Sequence, residues 1–303
     1  MRIPKSNAKL EELVDFYLHS AAFLRLSGRS QLDYEAQLKA VVNTVVNGKR
    51  LGDYRNGKIK VATLTAAYEQ WLQTGIRTAN ARKSVLSTAW KHAMRYDVMI
   101  HNPVALVKTV SSPPRRVTWE REHIKSFLDT AYSDFRWRSI GLLVHMAYDW
   151  GQRVGDMRLL TWDALNLSEC RMDLTQSKRN AVVHLPITQG LCAMLRQQRE
   201  DFGELSKYVA PRVKPKAGRY SPYEKQEVAP LVNEVLEAAG LPRELTAMDL
   251  RRTAVTEMME GSVDVANIMQ VTGHKNVVSL KPYMVNTFSG ASAALQARGN
   301  DDE

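Results

Sequence analysis

Apolar positions recur every third or fourth residue through ELVDFYLHSAAFLRL (12–26) and VATLTAAYEQWLQ (61–73), which predicts amphipathic helices. The intervening NGKRLGDYRNGKIK (47–60) is glycine-rich and basic and predicts a loop or turn region. ARKSVLSTAWKHAMRY (81–96) predicts the most informative helix. Val85, Ala89 and Ala93, beside Leu86, Trp90 and Met94, form its apolar stripe, while Lys83, Ser87, Lys91 and Arg95 recur every four residues on another face.

The pattern changes after SSPPRRVTW (111–119), a run of small and polar residues, a proline pair and charge. WRSIGLLVHMAYDW (137–150) predicts a helix stopped by Gly151, and VGDMRLLTWDALNL (154–167) a short helix leading into a turn. RMDLTQSKRNAVVHLPIT (171–188) predicts two short strands with SKRN at the tip. TAMDLRRTAVTEMMEG (246–261) and VDVANIMQVTGH (263–274) predict further helices, and the tail ARGNDDE (297–303) is expected to fray. The expected fold is mainly α with a small β-hairpin or sheet. The expected division is a helical domain over 1–112, a linker over 113–119, and a mixed domain with a short tail over 120–303.

Charge sharpens this picture. The chain of 303 residues has a formal net charge of +10 and a pI of about 9.6. Residues 1–112 hold 17 Lys+Arg against 8 Asp+Glu, and residues 113–303 hold 25 against 24. The excess therefore sits in the first third and suits a polyanionic partner. The face bearing Lys83, Ser87, Lys91 and Arg95 has the spacing to meet successive phosphates; a plain solvated basic face fits the same spacing. No apolar run approaches the roughly 20 residues needed to span a bilayer, and the N-terminus lacks the apolar core of a signal peptide. Cys170 and Cys192 are the only cysteines. Two thiols give neither a disulfide framework nor a zinc site, which points to a reducing, cytoplasmic setting. The histidines show no metal-ligand spacing; His145 on an apolar helix and His184 on a strand read as structural.

TGHKNVVSLKPY (272–283) places Tyr283 nine residues after His274. A continuous helix would separate them by roughly 13 Å, so meeting at one atom requires a turn, which Pro282 favours. Phosphoryl transfer without a metal needs cations for the non-bridging oxygens, an in-line nucleophile and a proton donor for the leaving oxygen. Arginine suits the clamp because its planar fork matches phosphate. Arg153 in WGQRVGDMRLLTW and Arg251 in MDLRRTAVTEM are two well-separated arginines beside predicted helix ends, and a hairpin lysine, Lys178, with His274 and Tyr283, follows the same theme.

The stretch from about residue 120 to 290 resembles the tyrosine recombinases, the phage integrase family. The resemblance implies a two-domain, C-shaped clamp with a basic, helical core-binding domain before the catalytic one; residues 1–112 match only in that general character. It places the two catalytic arginines at Arg153 and Arg251, the hairpin lysine at Lys178, the acidic supporting position at Asp156, the histidine at His274 and the nucleophile at Tyr283. It implies strand exchange on double-stranded DNA through a 3′-phosphotyrosyl link, without cofactor or metal. Four protomers would act on two DNA sites, with accessory DNA-bending proteins as an optional further partner.

One position departs. The family's second arginine motif usually reads His-x-x-Arg, and here it is Met248-Asp249-Leu250-Arg251. Methionine cannot shuttle a proton. Three readings follow: activity persists through Lys178 and His274, is reduced, or is lost with DNA binding kept. The survival of every other position favours retained activity. A type IB topoisomerase shares the pocket chemistry, but the separate basic domain and the form of the boxes argue against it.

Overall fold

The computed structural model describes residues 3–283 except Pro114 and Arg179, together with Ser292, Leu295 and Gln296; of Pro282 and Tyr283 it describes the backbone. The chain forms two compact units, Met1–Pro114 and Arg115–Glu303.

The first unit contains α1 (Leu10–Leu18), α2 (Ala21–Leu24), α3 (Gly28–Asn43), α4 (Val61–Leu72) and α5 (Ile76–Met94). The expected helix over 12–26 is broken. Ser20 accepts from the Phe23 N–H and donates to the Tyr17 carbonyl, so it ends one helix and caps the next. The expected loop over 47–60 opens with a two-stranded hairpin, β1 (Val45–Val46) and β2 (Lys49–Arg50). Asn47 and Gly48 both take positive φ, 51° and 74°, the requirement of a tight two-residue hairpin turn. The core forms around α5, where Leu86, Ala89, Trp90 and Ala93 have no exposed surface. They pack with Leu10, Leu13, Leu38 and Val41. Burying a leucine-sized side chain contributes about 1.5–3 kcal/mol, so the apolar stripe is what fixes α5 and leaves its basic face outward.

His92 on α5 lies between Phe16, Tyr17 and Tyr96, with ring centroids 5.1–5.5 Å away. Its Nε2 has no hydrogen-bond partner among the described residues. Burial, and secondarily the Arg95 charge, depress its affinity for a proton. The unfolded chain then binds more protons as pH falls through the ordinary imidazole range, so stability falls with it. Thermal unfolding of the whole chain at about pH 8 and about pH 5 is expected to show this loss, and His92→Phe to reduce it. An identical pH dependence in the variant would contradict the assignment.

The second unit begins on its own helices. The Arg115 guanidinium pairs with Asp249 at 2.8 Å and also donates to the Glu244 carbonyl. Trp119 is buried, its indole donating to the Thr246 carbonyl and its backbone N–H to Thr253 Oγ1. α6 (Arg121–Ser133) packs on α7 (Phe135–Asp149), the central helix, whose Ile140, Leu142, Leu143, Val144, Met146 and Ala147 are buried. Gly141 allows that approach: a Cβ there would lie 2.8 Å from the Ala131 Cβ. After the one-turn α8 (Val154–Met157) comes a three-stranded antiparallel sheet, β3 (Leu165–Asn166), β4 (Arg171–Thr175) and β5 (Val182–Pro186). The two expected strands are β4 and β5; β3 adds a short edge. Met172↔Leu185 and Leu174↔Val183 face the core, and His184 Nδ1 hydrogen-bonds Asp173 on the solvent face. α9 (Gln189–Phe202), α10 (Lys225–Ala238), α11 (Leu250–Glu260) and α12 (Val265–Thr272) follow. The thiols of Cys170 and Cys192 are free and 3.3 Å apart where the β3–β4 turn meets α9.

Candidate active site

Four segments of the second unit bring the motif residues together. The first is the end of α7. Gly151, at φ 56°, closes that helix: its N–H donates to the Tyr148 carbonyl and the Gln152 N–H to the Ala147 carbonyl. The chain then re-enters a helix at once, with Arg153 in extended geometry before α8. Its Nη1 donates to Gln176 Oε1 at 3.0 Å and stands 3.5 Å from Asp156 Oδ2.

The hairpin is the second segment. Asp156, with a side chain 2 % exposed, accepts from both the backbone N–H and the hydroxyl of Ser177. The supporting carboxylate therefore holds the hairpin tip as well as facing Arg153. Lys178 follows, exposed on the tip, with no ion pair among the described residues.

The third and fourth segments are α11 and the end of α12. Arg251 is buried, whereas its neighbour Arg252 is half-buried. Arg251 Nη1 donates to the Gly151 carbonyl at 3.2 Å, and Nη2 to the Thr272 carbonyl at 2.7 Å. Nη2 also lies 3.2 Å from His274 Nε2. Gly273 ends α12 in the left-handed region, φ 67°, and turns His274 back toward Arg251.

The proton on His274 can be placed by accounting. Thr272 Oγ1 has one hydrogen and gives it to the Ile268 carbonyl at 2.6 Å. Toward His274 Nδ1, 2.6 Å away, it can only accept. Nδ1 therefore carries the proton, and the Nε2 lone pair faces the Arg251 fork.

Val277–Tyr283 forms a 3-10 helix, which supplies the turn expected between His274 and Tyr283. Leu280, fully buried against Val255 and Ile268, fixes that turn on α11 and α12. The Tyr283 side chain lies outside the described residues. Met248, at the position that departs from the family pattern, is 87 % exposed just before α11. No cluster of His, Cys, Asp or Glu among the described residues is arranged to hold a metal ion.

On the first unit, Lys91 and Arg95 are exposed and Lys83 is half-exposed. Ser87 Oγ instead accepts from Asn102 Nδ2 at 2.8 Å, which ties it to the following 3-10 turn. On the second unit a basic turn carries Lys214, Lys216 and Arg219, all exposed. Bridges Pro211↔Pro222 and Lys216↔Arg219 hold it, and Arg212 anchors it to Glu227. These three residues carry no motif; their sequence signal is the basic run VKPKAGR around a turn.

The phage integrase family model matches residues 119–289. The tyrosine recombinase XerC of Alcanivorax borkumensis is 23% identical over 311 residues, covering 98% of this chain and 99% of that protein. The lambda integrase tetramer bound to a Holliday junction matches the fold with a TM-score of 0.74 at 19% identity, covering 92% of this chain and 78% of that one. The Tn1549 transposon integrase in complex with transposon right end DNA matches with a TM-score of 0.74 at 15% identity, covering 96% and 99%. Among the described residues no helix is long and apolar enough to cross a membrane. With the family model spanning more than half of it, the chain belongs to the phage integrase family, the tyrosine recombinases.

Proposed function

We propose that the protein is a site-specific DNA recombinase that cleaves and rejoins strands through a 3′-phosphotyrosyl intermediate, in the integration or excision of a mobile element or phage. One observation carries this reading. The Thr272 carbonyl accepts from both Arg251 and Gln176, and Gln176 accepts from Arg153. Both arginines and His274 are thus linked through one oxygen, on segments more than 20 residues apart in sequence.

In the proposed reaction Arg153 and Arg251 hold the non-bridging oxygens of the scissile phosphate. Tyr283 Oη attacks phosphorus, and its proton passes to His274 Nε2 as Arg251 Nη2 gives up its contact there for the phosphate. The imidazolium then donates to a non-bridging oxygen. Lys178 protonates the leaving 5′-oxygen. A 5′-hydroxyl from a partner strand reverses these steps, so the bond energy is conserved without a nucleotide cofactor. Four protomers on two DNA sites would carry the exchange through a four-way junction. The domain over 1–112, with Lys83, Lys91 and Arg95, and the turn with Lys214, Lys216 and Arg219 would hold the backbone. Accessory DNA-bending proteins would assist where the sites must be brought together.

Phosphate contacts make a direct prediction. With six or more of them, affinity for duplex DNA is expected to fall about 10³-fold between roughly 50 and 200 mM salt. Salt-independent affinity would remove the backbone-clamp reading.

Met248 favours a second reading, a DNA-binding relative that no longer cuts. Its exposure leaves room for histidine without repacking. If the enzyme works as it stands, nicked duplexes from beside its own gene will give a covalent adduct, and Met248→His will raise the rate at most about 10²-fold, the lower part of what a positioned acid or base supplies. An adduct gained only in Met248→His would establish the non-cutting reading instead.

A further inference from the structure

We propose that Gln176 is the positioning residue of the site: its carboxamide couples Arg153, the Lys178 hairpin and the Arg251–His274 pair into one unit. This rests on the recombinase reading above. No motif selects Gln176, which stands two residues before Lys178 on the strand-to-tip junction.

Its orientation is forced by its partners. Gln176 is fully buried. An arginine can only donate and a carbonyl can only accept. Oε1 must therefore face Arg153 Nη1, 3.0 Å away, and Nε2 must face the Thr272 carbonyl, 2.8 Å away. The second Nε2 hydrogen goes to Gln152 Oε1 at 2.6 Å. Gln152, also fully buried, spends its own two hydrogens on the Trp150 and Val271 carbonyls. The two carboxamides thus link the end of α7, the hairpin and the end of α12, with every N–H used.

The backbone of Gln176 is engaged as well. Its N–H donates to the Ala181 carbonyl, and its carbonyl accepts from Asn180, which closes the tip carrying Lys178. The packing leaves no slack. A Cβ at Gly273 would lie 2.7 Å from Gln176 Nε2, so the glycine before His274 is pressed against this side chain. Apolar groups of similar size would fill the volume but take this donor from Gln152 Oε1 and leave the Thr272 carbonyl and Arg153 one hydrogen bond short.

The test uses the full chain with Gln176→Leu and, as a same-shape control, Gln176→Glu. Hydrogen exchange is expected to quicken in Gln176→Leu both at the hairpin tip and at Gly273–His274. Acceleration confined to the tip would overturn the coupling. The rate of covalent adduct formation on nicked DNA is expected to fall ~10²-fold, the effect of a small misplacement of reacting groups, with DNA affinity within a few-fold of wild type. An unchanged rate would overturn the positioning role.

Gln176→Glu can still accept from Arg153, but its carboxylate repels the Thr272 carbonyl and Gln152 Oε1, so it is expected to be slow too. Wild-type behaviour there would reduce the role to an Arg153 contact. A substrate whose leaving 5′-oxygen is replaced by sulfur needs no proton donor. Gln176→Leu is expected to stay slow on it, because the arginine clamp is loosened as well. Full recovery would mean that the residue acts through Lys178 alone, against the proposal. If wild type itself forms no adduct, the recombinase reading fails, and the exchange result still decides whether the four segments are coupled.

Discussion

Replacing Arg251 by alanine is expected to slow strand cleavage ~10³-fold or more and to destabilise the second unit by about 2–4 kcal/mol. The two effects share a cause. The guanidinium is buried and holds the Gly151 and Thr272 carbonyls while facing His274. Removing it leaves the Gly151 carbonyl without this donor and a cavity beside the imidazole. It also takes from the phosphate site a planar cation that is held in place before DNA arrives. Arg251→Lys keeps the charge, but a single ammonium cannot reproduce the fork toward both carbonyls. It is expected to recover part of the stability and little of the rate. Urea unfolding and adduct kinetics on the same preparations check both. A variant with wild-type stability would contradict the structural half, and one with a wild-type rate the catalytic half.

Tyr283→Phe is expected to abolish covalent attachment to DNA while leaving non-covalent affinity within a few-fold. The substitution removes one oxygen, and no other residue in the reading supplies a nucleophile. The segment that carries Tyr283 is fixed by Leu280 against α11 and α12, so loss of the hydroxyl is not expected to unseat it. Electrophoresis under denaturing conditions reads the adduct, and a mobility shift under native conditions reads binding. An adduct that persisted in the variant would place the nucleophile elsewhere.

The residues proposed to carry the chemistry could be picked out of the sequence because each stands in a short signature. Arg153 follows a glycine helix stop, Lys178 sits in a polar hairpin tip, and His274 follows Gly273. The glutamines were not legible. Gln152 looks like a polar residue after a helix and Gln176 like a strand end; only the fold turns their carboxamides toward each other. Periodicity also ran past Ser20, since the apolar spacing continues across the break that its side chain creates. β3 is two residues long and carries no pattern of its own. In α10, Pro230 interrupts what otherwise reads as a helix, and packing of Val228, Val232, Val235 and Leu236 carries the helix through it. Asn47–Gly48 did carry a hairpin signal, which the basic, glycine-rich surroundings obscured.

The central claim is that a tyrosine of this chain becomes the covalent carrier of a DNA strand. The most direct measurement is to trap the protein on a nicked duplex, digest the complex with protease and nuclease, and find by mass spectrometry which peptide bears the nucleotide. The account predicts a 3′-nucleotide on the peptide containing Tyr283 and none from Tyr283→Phe. A nucleotide on another residue, or trapped DNA that carries no protein bond at all, would contradict it.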